Sequence, residues 1–150
     1  MTRWQMDKAY ADTYWPEIEL IIRSVAGQIL SVRPSTRDED QTQATDYVVE
    51  MSTGRIACRI RRPGNEKYND VTIRAHRDSG AATELAKLAE VRWYLYGWAN
   101  TREELGKWVF YDVPKAVAAG LFENRPLRDN HDGTYFIAVP VPELRAAGVV

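Results

Sequence analysis

The chain has 150 residues, of which 45% are hydrophobic and 27% charged, a balance that supports one packed core and excludes a disordered, collagenous or low-complexity protein. Twenty cationic side chains against twenty-one acidic ones leave a net charge of −1, which is not the balance of a protein that coats nucleic acid. Cys58 is the single cysteine, so an internal disulfide framework and a cysteine zinc cage are excluded, and no apolar run reaches the roughly 18 residues of a membrane helix. The first residues lack an apolar h-region, so the reading is a cytoplasmic, soluble, single-domain chain over 1–150.

In chain order, Tyr14-Trp15-Pro16-Glu17 opens a helix, with Ile18, Ile21, Ile22 and Val25 at helical spacing. Residues 29–32 read as a short strand, and the polar stretch 34–43 as a loop. Residues 46–51 and 55–62 are two strands separated by Ser52-Thr53-Gly54, which predicts a hairpin, and 70–75 is the next strand. The period then lengthens. Residues 83–90 predict a helix, 92–98 and 107–112 aromatic strands, and 114–121 a short helix. The strand 134–139 follows the turn 129–133, and 142–145 begins a last helix. The fold class is therefore α/β (α+β): a central mixed sheet with an antiparallel hairpin core, flanked by helices. The core spans about 14–112, with a small α-β-α extension over 113–150.

Two neighbouring segments carry opposite charge. Asp38, Glu39, Asp40, Asp46 and Glu50 give residues 38–50 a charge of −5, whereas 55–77 hold seven cations against Glu66 and Asp70, giving +5. By the two-residue period of a strand, Asp46 and Glu50 share one face, Arg59 and Arg61 share another, and Thr72 and Arg74 share a third. Cross-strand ion pairing on a solvated face is the ordinary explanation. The functional one is that carboxylates converging at a strand end hold a divalent cation beside a cation that stabilises a phosphate. Arg74, Arg77 and Ser79, ahead of a helix, form a second candidate as a phosphate cradle, against the plain alternative of a cap at 78–80. Cys58 alternates with Ile56 and Ile60 and reads as core. His76 and His131 lack partners at metal spacing, and the aromatic strands read as core with one half-exposed face.

The helix bearing Glu17 (or Glu19), the strand 29–32, Asp46 opening the next strand, and Ile56-Ala57-Cys58-Arg59-Ile60-Arg61 after Gly54 carry a resemblance. From Glu17 to about Asp112 the chain resembles the PD-(D/E)XK, restriction-endonuclease-like superfamily, and most of all its Holliday junction resolvase-type members. It also has the general look of phage and prophage proteins. The resemblance implies a nuclease fold and Mg²⁺ (or Mn²⁺) held by Asp46 and Glu50, with Glu17 beside them and Arg61 in place of the family's lysine. The chain departs from the family at Arg59, where a metal-binding carboxylate is expected, so Arg59→Glu would restore a family-like ligand.

Three function classes follow. The first is a metal-dependent endonuclease acting on DNA rather than RNA. The second is a protein of the same fold that binds nucleic acid without cutting it. The third is a phage-type module that blocks a host protein through the acidic 38–50 segment. A second copy of the chain is an open partner for each, and a membrane is not.

Overall fold

The computed structural model describes residues 1–26, 29–34, 36–37, 47–51 and 55–150. The chain begins with a helix that no apolar periodicity announces, α1 (Arg3–Thr13), which buries none of its residues. Its ends are set locally. Gln5 N–H donates to Thr2 Oγ1 at 3.2 Å while Thr2 N–H donates to Gln5 Oε1 at 2.7 Å, a reciprocal box that satisfies two amides the helix itself leaves unpaired. Helix α2 (Trp15–Ala26) was readable, because Ile18 and Ile22 lie four residues apart on one buried face.

The strands form three small sheets rather than one. Strand β1 (Ile29–Pro34) pairs antiparallel with β2 (Tyr47–Met51), Val32 opposite Val49. In the second sheet β3 (Ile56–Arg61) runs parallel to β5 (Trp93–Ala99), and β5 pairs antiparallel with β6 (Leu105–Asp112). The third sheet has the order β4 (Asp70–Arg77), β8 (Thr134–Pro140), β7 (Arg128–Asp129), all antiparallel. The α+β class stands, with helices flanking sheets that are mostly antiparallel.

The expected hairpin does not form. Among the described residues β2 takes β1 as its neighbour, β3 takes β5, and β4 takes β8, so 46–51, 55–62 and 70–75 are not sequential antiparallel neighbours. The reason lies in burial. Ile56, Ala57 and Cys58 are consecutive and all buried, so this half of β3 is covered on both faces. A strand in that position pairs best with one that is equally apolar along its length, and β5 is buried from Tyr94 to Ala99. A short glycine-containing turn is only a local signal and yields to that demand.

Two apolar clusters lie on opposite faces of β5. Leu95 and Ala99 pack with Ile56, Cys58 and Phe110 against Tyr14, Ile18 and Ile22 of the α2 side. Tyr94, Tyr96 and Trp98 pack with Ala57, Val109 and Tyr111 toward Val71, Ile73, Ile137 and Val139 of the third sheet. Gly97 marks the tightest approach: a Cβ there would overlap Leu105 Cδ1 and meet Ile60 Cδ1 at 2.9 Å. Residues 113–150 belong to this core, since Leu144 and Val149 share the second cluster and β8 is the middle strand of its sheet.

Three short helices close the ends. Thr83 caps α3 (Glu84–Lys87), which runs into a 3₁₀ turn, Leu88–Glu90. Asp112 caps α4 (Val113–Ala118), and α5 (Val141–Ala146) follows β8. Asp112 is buried, which pushes its carboxyl up, but the Lys115 N–H at 3.0 Å and the Arg92 guanidinium at 2.7 Å pull it further down, so it titrates below the ordinary aspartate range. A depressed carboxyl stabilises the fold above its unfolded pKa of about 3.9, and that stability disappears as pH falls through the folded value. Asp112→Asn is therefore expected to cost about 1–2 kcal/mol at neutral pH, and the loss should shrink in acid. Urea unfolding of both proteins across that pH range measures it, and an equal loss at every pH would refute the linkage.

Candidate anion-binding cleft

The strand period places Arg59 and Arg61 on the same side of β3 as Ala57, facing away from α2. On β4, Thr72 stands across from them, and the two sheets are joined there by polar contacts. Arg59 donates to the Thr72 carbonyl at 3.2 Å, and the Thr72 and Tyr96 hydroxyls hydrogen-bond at 2.7 Å. Glu84 sits behind, with its side chain 13% exposed, at 3.4 Å from Arg59 and accepting from the Tyr94 hydroxyl at 3.1 Å. Arg61 pairs with Asp70 at 3.0 Å.

Arg59, Arg61, Thr72 and Tyr96 form the floor of a cleft of about 440 Å³ between the two sheets, a volume in the range of small-ligand sites. Five arginines line it: Arg3, Arg59, Arg61, Arg62 and Arg74. Among the described residues, Asp132 is the one carboxylate in its wall. Helix α1 forms the rim, where Asp7 pairs with Arg62 at 3.2 Å, Tyr10 donates to the Arg61 carbonyl at 3.3 Å, and Arg3 reaches Asp132 at 3.6 Å. Arg74 is the least satisfied of the five. Its Nε–H is buried without an acceptor, and burial first, then the like charge of Arg59, lower its pKa. A guanidinium in that position is stabilised by an anion entering the cleft.

The residues singled out in the sequence fall into three groups. Arg59, Arg61 and Arg74 come together in the cleft. Arg77 and Ser79 are not among its lining residues. The next helix begins at Glu84 under a Thr83 cap, so 78–80 is a turn in which Ser79 Oγ accepts from Ala81 N–H, not a helix start. Glu17 faces elsewhere, accepting the Leu105 N–H at 2.9 Å, which anchors α2 to the start of β6. Asp46 lies outside the described residues. Glu50 falls in β2, opposite Ser31, with its side chain outside the described set. Asp70, one of the two acidic residues of the basic 55–77 segment, is engaged by Arg61.

Among the described residues no three His, Cys, Asp or Glu side chains converge as ion ligands would. Glu17 is taken up by the Leu105 N–H and Arg59 pairs with Glu84, so these two do not supply a divalent-cation site. Arg3, Arg62, Asn130 and Asp132 were not anticipated as site residues. They arrive from α1, the end of β3 and the β7–β8 turn, and no local pattern links those segments. Cys58 is buried as expected, and no helix among the described residues is long and apolar enough to cross a membrane.

Fold and cleft together define an α+β protein with an arginine-lined cleft between two sheets. Comparison with family models, with curated proteins and with solved structures finds no match to this chain.

Proposed function

We propose that the protein handles nucleic acid by binding its phosphate groups in the arginine cleft, without cutting the chain. The supporting observation is the concave wall of five arginines with Arg74 desolvated among them, because guanidiniums grip phosphate oxygens in pairs and gain most where water is excluded. The net charge of −1 fits a local site better than a surface that tracks a long duplex.

Fluorescence anisotropy with labelled single-stranded DNA and RNA at low salt tests this. The wild-type protein binds, and Arg74→Ala weakens binding by about tenfold or more, as expected for one lost charge-assisted contact of roughly 1.5–3 kcal/mol. The slope of log affinity against log salt falls by about one. No binding of either polymer at low salt sinks the reading. Mg²⁺-dependent cleavage of branched or single-stranded DNA by purified protein would replace it with the nuclease reading.

A further inference from the structure

We infer that the group this cleft takes is a terminal phosphomonoester, of a free nucleotide or of a strand end, and that the Asp132 carboxylate occupies the phosphate's place in the unliganded protein. The inference rests on the reading above and narrows it.

Charge matching is the first argument. Arg59, Arg61 and Arg62 pair with Glu84, Asp70 and Asp7, the last an exposed pair. Asp7 also lies 3.9 Å from Arg3, but it is already shared with Arg62. Among the described residues, the five guanidiniums of the cleft lie against four carboxylates, Asp132 in its lining and Glu84, Asp70 and Asp7 paired beside it. Asp7, on the rim, is taken by Arg62, which leaves Asp132, on a turn at the mouth, as the carboxylate a ligand displaces. If it swings out, two positive charges are unmatched, on Arg3 and Arg74. A phosphomonoester carries about −1.5 to −2 at neutral pH and matches both, whereas a backbone diester carries a single charge and matches one.

Shape is the second. Arg3 on α1 and Asp132 on the β7–β8 turn both line the cleft and meet at 3.6 Å, so two walls touch across it. A strand threading through has to break this contact, which is a surface one, the Arg3 side chain being 78% exposed. A terminal group entering end-on needs only to displace one carboxylate.

The third is that Asp132 is held there as an anion. The Thr134 hydroxyl and N–H both donate to it, and the charges of Arg74 and Arg3 add to them, so its carboxyl lies below the usual aspartate range. The carboxylate presents an oxygen to the Arg3 guanidinium and lies in the field of Arg74, as a phosphate there would.

Calorimetric titration of the full chain tests this with four probes: a nucleoside 5′-monophosphate, its 5′-methyl diester, and a short single-stranded oligonucleotide with a 5′-phosphate or a 5′-hydroxyl. The two monoesters should bind about tenfold more tightly than their diester and hydroxyl counterparts, the difference expected for one added charge-assisted contact. Asp132→Asn keeps an oxygen for Thr134 and removes the competing charge, so it should tighten monoester binding several-fold. Arg3→Gln, on an exposed helix that buries nothing, should weaken monoester binding more than diester binding. A mononucleotide that binds as well as the phosphorylated strand identifies a free nucleotide as the source, and a tighter strand identifies its end. Equal binding of the 5′-phosphate and 5′-hydroxyl strands overturns this inference and leaves nucleic-acid binding standing. Weaker monoester binding by folded Asp132→Asn protein overturns the place-holding role. Failure of all four probes removes both readings.

Discussion

Arg59→Glu is expected to damage the fold, not to repair a nuclease site. The new carboxylate would face Glu84, whose side chain is 13% exposed, and the Thr72 carbonyl that now accepts from the guanidinium. Removing one partner of a buried pair costs roughly 3–5 kcal/mol, and because Arg59 is 30% exposed the loss here should be nearer 2–4 kcal/mol. For a chain of this size each kcal/mol moves the melting temperature by about 2–4 °C, so the expected drop is roughly 4–16 °C by circular dichroism. The exchange Arg59→Glu with Glu84→Arg should recover a good part of it, since the pair is restored with its sign reversed. Unchanged stability in the single variant, together with new Mg²⁺-dependent DNA cleavage, would show instead that Arg59 stands at a vacated ligand position as the resemblance implies.

That outcome depends on a neighbour the sequence could not name. Period-two alternation correctly put Arg59 with Arg61 and Thr72 with Arg74, because a strand's facing is a local property. Which strand lies beside β3 is not local. The Ser52-Thr53-Gly54 turn pointed to β2, while the apolar length of β5 decided the pairing some 35 residues downstream, Arg59 opposite Tyr96. The cleft was half legible for the same reason. Its floor comes from strands whose faces can be counted, but its rim comes from α1 and the β7–β8 turn. Helix α1 has no apolar stripe to reveal it, since it is held by the Thr2–Gln5 box and by ion pairs such as Lys8–Asp12 at 2.9 Å. Glu17 lies on its helix as its sequence position predicts, and there its carboxylate accepts the Leu105 N–H. A carboxylate near a helix start serves a metal or a backbone amide equally well, and only the position of the Leu105 N–H distinguishes them.

Leu95→Ala should be the clearest separation of fold from site. Leu95 is fully buried at the centre of β5, opposite Cys58 on one side and Phe110 on the other, and packs toward Ile18 and Ile22 of α2. Truncating it removes the transfer energy of three carbons and leaves a cavity that a sheet tied on both edges closes poorly. The expected cost is about 2–5 kcal/mol, or a fall of roughly 4–20 °C in melting temperature. The next residue, Tyr96, points to the opposite face and reaches Thr72 on the floor of the cleft. A cavity beneath Leu95 therefore lies on the α2 side of the sheet, away from the arginines. Well below its melting temperature the variant should bind phosphate-bearing probes with wild-type affinity, while Arg74→Ala should lose binding with little change in stability. If Leu95→Ala weakened binding as much as Arg74→Ala at a temperature where both are folded, the two faces of β5 would be coupled and the cleft could not be treated as a site independent of the helical layer.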